Sequence, residues 1–136
     1  MEENKIKVVV KEPNKPCEIK EIENNYKVLQ GLVEGLIDIT TLPGREDIDV
    51  ICNDEYLYNG SPANVMMPER DNIFCGTIVF AGFNEEDGSS ISLTDEQIQA
   101  VEQYVLKNEV ENMDVREAYA HMQMVKSLHK NEAEAE

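Results

Sequence analysis

The sequence is short of several residue types that particular classes of protein need. It has no Trp, and Phe and Tyr together make up only 6% of its 136 residues. Because aromatic side chains supply much of the buried area of a protein core, we expect a core of modest size. No apolar segment approaches the length of a membrane span, and the first residues lack the basic and apolar parts of a signal peptide. We therefore predict a cytoplasmic protein that does not associate with membranes.

Cysteine and histidine are also too few, and too widely spaced, for familiar metal or disulfide frameworks. Cys17, Cys52 and Cys75 form no CxxC pair and are odd in number, which disfavours both a disulfide framework and a zinc site. His121 and His129 are eight residues apart, which does not match the spacing of a helical zinc pair. No glycine-rich phosphate loop and no GxSxG elbow occur. We predict no metal, no cofactor and no enzymatic activity.

Basic residues are scarce relative to acidic ones. The chain has 12 Lys and Arg against 28 Asp and Glu, a formal charge of −16 at pH 7. Up to Gly60 there are 13 acidic and 7 basic residues, and after it 15 acidic and 5 basic ones. Such a surface repels nucleic-acid phosphates and attracts basic proteins. We predict no direct nucleic-acid binding and a basic protein as partner, although solubility alone would also explain the charge.

The first half of the chain alternates between strand patterns and one helix pattern. β-branched and alternating residues predict strands at residues 6–10 and 17–22, joined as an antiparallel hairpin across a proline-containing turn. Asn24 or Asn25 can cap a helix that Gly35 would end. Two further strands are predicted at residues 36–40 and 48–52.

The second half is predicted to complete the sheet and to add two helices. Residues 60–64 are typical of a loop and are predicted to lead into a short helical turn, whereas the apolar residues 73–83 predict one central strand. A capping box from Thr94 to Gln97 opens a helix, and apolar spacing predicts another at residues 114–129. The fold class is therefore α+β: a mostly antiparallel sheet of about five strands, one helix across a face, and two C-terminal helices.

This pattern divides the chain into three parts. Residues 1–108 are predicted to form the α+β core domain, and residues 109–130 a C-terminal helix that is an appendage or a dimer element. Residues 131–136 are predicted to be a disordered acidic tail, because they have no apolar anchor. The methionine-bearing last helix could pack on its own core or on a second copy of the chain, and the sequence leaves both open.

Two groups of residues are candidates for binding. The first is acidic, lies after Gly60, and would meet a basic partner; it comprises Glu85, Glu86, Asp87, Asp95 and Glu96. The second is a predicted loop rich in aromatic and amide side chains, with Tyr56, Tyr58, Asn59 and Asn64. The alternatives are a solvated acidic turn for the first group, and tyrosines that close one edge of the core for the second.

Short motifs in a fixed order between residues 5 and 107 carry a family resemblance. They are the Glu12-Pro13 turn, Glu18-Ile19-x-x-Ile22, Leu29-Gln30-x-x-Val33-x-Gly35-x-Ile37, Cys52-Asn53-Asp54-Glu55, Gly60-x-Pro62-x-Asn64, Ile73-x-x-Gly76-Thr77 and Ser92-Leu93-Thr94. In this order and spacing the chain resembles the family called domain of unknown function 3846. The resemblance also leads us to expect a basic residue after Asn64, where Val65 stands, which argues against an anion-binding role for the loop.

The resemblance implies a protein of phages, plasmids or conjugative elements, acting in the cytoplasm of a bacterial host. In that context we expect an accessory binding or inhibitor protein whose acidic surface contacts another protein, for instance by imitating nucleic-acid phosphates against a host defence protein. One alternative is a protein that binds or sequesters a signalling nucleotide, with Arg45 and Arg70 as candidate anion contacts. Another is a structural or regulatory domain without a ligand.

Overall fold

The computed structural model describes residues 5–55 and 60–135, and of residues 129–135 only the backbone. Eight strands, three α-helices and a short 3₁₀ turn make up this part of the chain. In chain order they are β1 (Lys5–Lys11), β2 (Glu18–Glu23), α1 (Tyr26–Val33), β3 (Ile37–Leu42), β4 (Arg45–Asn53), β5 (Ala63–Met67), the 3₁₀ turn (Pro68–Arg70), β6 (Asn72–Cys75), β7 (Ile78–Phe83), β8 (Ser90–Ile91), α2 (Asp95–Asn108) and α3 (Val115–Ala135).

An antiparallel sheet with β7 at its centre organises the fold. Its order is β2-β1-β7-β4-β3, and the short β8 pairs with the end of β7. The predicted hairpin of β1 and β2 is confirmed, and β3 and β4 form a second hairpin on the other side of β7. Every residue of β7 except Phe83 is buried, which explains why its sequence is a continuous apolar run rather than an alternating one. The predicted α+β class is confirmed.

The prediction of one strand over residues 73–83 is wrong, because Gly76 interrupts it. Gly76 has a φ of +75°, a conformation that residues with a side chain rarely adopt. The segment before it, β6, leaves the large sheet and pairs with β5 in a separate two-stranded sheet. The prediction of a loop and a short helical turn before residue 72 is also wrong for Ala63–Met67, because these residues form the strand β5. All five β5 residues are buried, so no alternation in the sequence marks the strand.

The sheet is covered on both faces. On one face Leu29 and Val33 of α1 pack against a cluster that includes Val8, Ile51 and Val79, as predicted for a helix across a face. On the other face a larger cluster joins the sheet to the β5–β6 hairpin, α2 and α3. The hairpin is thus a layer between the large sheet and the two C-terminal helices.

Asn25 and Gly35 flank α1 and have different structural roles. The Asn25 side chain accepts a hydrogen bond from the backbone N–H of Val28 at 2.9 Å, which confirms one of the two predicted caps. The helix ends on Glu34 in the left-handed conformation, one residue before the predicted Gly35. Gly35 is needed for a different reason: a Cβ there would lie 2.6 Å from Nδ2 of Asn53.

The predicted capping box of α2 is confirmed. The Thr94 hydroxyl accepts from the backbone N–H of Gln97 at 3.2 Å, and the Gln97 side chain accepts from the backbone N–H of Thr94 at 2.8 Å. The side-chain nitrogen of Gln97 donates to the backbone oxygen of Asp47 at 3.1 Å. The cap therefore also fixes the start of α2 on β4.

The last helix, α3, packs on its own chain. Ala118 and Met122 are fully buried and belong to the same cluster as β5 and β6. The carboxylate of Asp71, next to the 3₁₀ turn, accepts from three α3 side chains, namely Tyr119 and Gln123 at 2.7 Å each and Lys126 at 3.0 Å. The helical backbone continues to Ala135, past the predicted end of the helix and into the predicted tail, because Ala and Glu are strong helix formers.

The outer face of α3 still leaves the dimer prediction open. Tyr119, Met124 and Leu128 are exposed on it, and whether they meet a second copy remains a prediction. In the described part of the chain, none of the helices combines the length and apolar character of a membrane span.

If α3 is part of the core, Met122→Ala should lower the free energy of unfolding by roughly 2–5 kcal/mol, because it removes a fully buried side chain. Met124→Ala is the matched control: Met124 is 55% exposed on the same helix, and its replacement should change stability by less than about 0.5 kcal/mol. Urea unfolding followed by circular dichroism measures both. Equal effects of the two variants would contradict the packing described above.

The hydrogen bonds to Asp71 should make the stability of the protein depend on pH in the acidic range. Bonds from Tyr119, Lys126 and Gln123 lower the pKa of Asp71 from 3.8 to about 2. Since the folded-state pKa lies below the unfolded one, these bonds stabilise the fold above pH 3.8 and are lost as the pH falls through about 2. Asp71→Asn should therefore lower the melting temperature at pH 7, with a difference from wild type that shrinks towards pH 2. Asn tolerates the left-handed backbone at this position, and the exposed Glu21→Gln is the control.

Candidate functional site

The acidic turn at residues 84–89 has an ordered backbone that carries two exposed glutamates. Asn84 and Ser89 close it through a backbone bond of 2.9 Å, and the Asn84 side chain accepts from the backbone N–H of Glu86 at 2.9 Å. Asp87 accepts from the backbone and hydroxyl of Ser89 at 2.9 and 2.6 Å. Glu85 and Glu86 are exposed and project from a turn that needs little further ordering to bind.

The other predicted acidic residues differ in how free they are. Asp95 is exposed in the first turn of α2. Glu96 is bound by both terminal nitrogens of Arg45, at 2.6 and 2.7 Å, and this guanidinium lowers the pKa of Glu96. The same Arg45 also holds Asp47 and lowers its pKa to about 2. With Asp87 bonded inside its own turn, the free carboxylates of the predicted set are Glu85, Glu86 and Asp95.

The prediction that Asn64 lies in a loop is wrong. Asn64 is in β5, is fully buried, and its side chain is wholly used in hydrogen bonds. Its amide donates to the backbone oxygens of Lys11 at 2.7 Å and Gly76 at 2.8 Å, and its oxygen accepts from the Lys11 amine at 3.0 Å. The other residues of the predicted loop site, Tyr56, Tyr58 and Asn59, lie outside the described residues.

Lys11 is a buried cation that no pattern in the sequence indicates. Its side chain is completely buried, and its amine donates to two neutral oxygens, the backbone of Glu12 at 2.9 Å and the side chain of Asn64. Burial lowers the pKa of Lys11, and the nearby Glu109, Cys17 and Glu111 partly oppose that effect. Lys11 ends β1, which also contains Lys5 and Lys7. Because lysine is almost never fully buried, nothing in the sequence marks Lys11 as internal.

A cleft lies next to Lys11, between the β1–β2 turn and the end of α2. Its volume is about 330 Å³, at the small end of the range of ligand pockets. It combines apolar walls with three carboxylates and one amine, and is lined by Asn14, Lys15, Pro16, Cys17, Glu102, Val105, Leu106, Glu109 and Glu111. Neither the helix period nor any motif points to it, because it forms where two distant segments meet.

The cysteines are not activated nucleophiles. All three are free thiols, and burial raises the pKa of Cys52 to about 12 and that of Cys75 to about 11. Burial also raises the pKa of the half-buried Cys17, despite the opposing charge of Lys11. Since the thiolate is the reactive form, none of them is poised for attack. Within the described part of the chain, no group of three or more His, Cys, Asp or Glu side chains could hold a metal ion.

Comparison with known proteins identifies a family. The model of the family described as Domain of unknown function (DUF3846) matches residues 6–106, which is most of the chain. No curated protein and no solved structure matches it. The motif residues Asn53, Asn64 and Gly76 all serve the fold: Asn53 donates to the backbone of Val33 at 3.0 Å, and Gly76 forms the break at which Asn64 binds. The motifs thus mark the architecture rather than the free carboxylates.

Replacing Asn64 should test this structural role. Asn64→Ala leaves two backbone oxygens and the Lys11 amine without their partner inside the core, where each such loss costs about 1–3 kcal/mol. We expect stability to fall by roughly 3 kcal/mol or more in urea unfolding. The control is Asn24→Ala, which removes one exposed bond to the Ser90 backbone and should cost less than about 1 kcal/mol. A similar loss in both variants would show that the buried network is not special.

Proposed function

This chain belongs to the domain of unknown function 3846 family, whose model matches residues 6–106, and from its surface we propose that it is an accessory binding or inhibitor protein. It acts through contact between its acidic surface and a basic partner protein. A phage or another mobile element is the setting that the family resemblance implies. A host defence protein that binds nucleic acid is the kind of partner whose basic groove such carboxylates would fill.

The turn at residues 84–89 is the single observation that carries the proposal. Its hydrogen bonds order the backbone that carries Glu85 and Glu86 before any partner arrives, so binding requires little further ordering of the turn. Asp95, a few residues further along the chain, adds a third exposed carboxylate. A basic partner therefore meets exposed carboxylates carried on an ordered backbone.

The protein's own cations do not neutralise this surface. In the described residues four cations form five ion pairs: Lys15 with Glu12, Lys20 with Glu18, Arg45 with both Asp47 and Glu96, and Lys126 with Asp71. Lys11 is buried, and Arg70 donates to Thr40 and Thr41 of β3. Glu85, Glu86 and Asp95 appear in none of these pairs, so their charge stays available for a partner.

The same contacts weigh against the nucleotide-binding alternative. Arg45 is occupied by Asp47 and Glu96, and Arg70 by the edge of β3. Neither guanidinium can hold a phosphate without giving up several hydrogen bonds. A protein-binding surface therefore agrees better with how the arginines are used.

Neutralising the exposed carboxylates should strongly weaken binding to basic proteins. We expect the immobilised wild-type protein to retain basic proteins from a bacterial lysate at about 50 mM salt and to lose them at about 500 mM, because salt screens surface charge. A variant with Glu85→Gln, Glu86→Gln and Asp95→Asn should retain far less at low salt. Mass spectrometry of the eluates measures both effects.

The matched control removes three charges elsewhere, with Glu21→Gln, Glu34→Gln and Glu55→Gln, all exposed in the first half of the chain. It has the same net charge as the test variant and should retain the same proteins as wild type. Equal loss in both variants would show that net charge, rather than this surface, governs binding. Retention that is indifferent to salt would refute the electrostatic mechanism.

A further inference from the structure

We infer that the cleft between the β1–β2 turn and α2 is a second interaction site, which takes an arginine side chain from a segment of a partner protein. This site is distinct from the acidic turn at residues 84–89 and does not depend on it. Its volume of about 330 Å³ suits one long side chain and its neighbours better than a large cofactor.

Three carboxylates line the cleft, and the cations near them balance only part of their charge. Glu102, Glu109 and Glu111 line it, and none of them belongs to an ion pair among the residues that the structure describes. The one lining cation, Lys15, is paired with Glu12 at 3.7 Å. Lys11 lies nearby, but it is buried and donates to neutral oxygens. The cleft is therefore a site for a positive group supplied from outside.

The apolar part of the cleft fits the stem of such a group. Leu106, on its rim, is 75% exposed, more than any other large apolar side chain in the described residues. Val105 and Pro16 complete the apolar wall. An arginine combines an aliphatic stem, which packs on apolar surface, with a planar head that binds carboxylates through two hydrogen bonds at once. Charge and shape complementarity together favour an arginine-containing protein segment as the occupant.

The walls of the cleft are already in place before binding. The Asn14 side chain accepts from the backbone N–H of Asn112 at 2.7 Å, which ties the β1–β2 turn to the segment after α2. The backbone of Val110 donates to Asn64 at 3.0 Å, and Glu109 forms a bridge with Val65. Such pre-organisation lowers the entropic cost of binding.

Cys17 provides a reporter inside the cleft. It is half-buried on the wall and is therefore the most accessible of the three thiols, whereas Cys52 and Cys75 are buried. Iodoacetamide, which is uncharged, should therefore modify Cys17 first, and mass spectrometry gives the rate. The probe is a capped hexapeptide of alternating Leu and Arg, compared with the same peptide carrying Gln in place of Arg and with spermine as a free polycation.

We expect the Arg peptide to slow the modification of Cys17 and the Gln peptide not to. In a Glu102→Gln, Glu109→Gln variant, half-maximal protection should need roughly threefold to tenfold more peptide, because two exposed ion pairs are lost. The control variant carries Glu34→Gln, at the C-terminal end of α1, and Glu55→Gln, just after β4. Neither residue lines the cleft, so this variant should behave as wild type. Thermal melting checks that each variant is folded, and Glu111→Gln serves as a second test variant if the double variant is not.

Absence of protection by the Arg peptide in the wild type would overturn the inference, and so would equal protection by the Gln peptide. Protection by spermine without protection by the peptide would also overturn it, in favour of a small polycation. Each result leaves the experiment on Glu85, Glu86 and Asp95 untouched, because that experiment alters other residues and reads out another interaction.

Discussion

The buried side chain of Asn64 is the contact on which the arrangement of layers depends. One amide joins the end of β1, the start of β5 and the glycine that separates β6 from β7. Without those bonds, the backbone oxygens at the junction of the two sheets would be buried and unpaired, which proteins avoid. The bond from Lys11 to the same side chain completes the network.

The junction of the two sheets at Asn64 also determines where the C-terminal helices and the acidic cleft lie. The β5–β6 hairpin lies between the large sheet and the C-terminal helices, so α2 and α3 pack on the hairpin as well as on the sheet. The segment after α2 bonds to the backbone of Asn64, and this brings Glu109 beside the β1–β2 turn. Asn64 therefore joins the layers through its side chain and positions one wall of the acidic cleft through its backbone.

The cations and the carboxylates of the protein are used differently. Several cations serve the fold: Arg45 links β4 to α2, Arg70 covers the edge of β3, and Lys126 holds α3 to Asp71. An exposed sheet edge invites pairing with other chains, so the contact of Arg70 with the β3 backbone also protects that edge. Because these cations are engaged, many carboxylates face solvent without partners. Surplus acid on the surface is thus partly the result of where the bases are used.

Much of the fold could be predicted from local patterns, and the rest could not for a physical reason. The β1–β2 hairpin, the Asn25 cap and the Thr94 capping box depend on neighbours in sequence, so period and cap residues predicted them. The β5 strand and the break at Gly76 were missed, because a strand buried on both faces has no alternation and resembles any apolar run. Of the acidic candidates, the exposure of Glu85 and Glu86 agrees with the prediction, whereas the engagement of Glu96 by Arg45 depends on a residue 51 positions away.

The sequence by itself determined the charge, the family and the order of most elements, since each of these depends on composition or on short-range spacing. Only the tertiary structure decided that Asn64 is buried, that Lys11 is an internal cation, and that three glutamates share a cleft with Cys17. These features arise from contacts between segments far apart in the chain, and the chain must be folded before such side chains become neighbours.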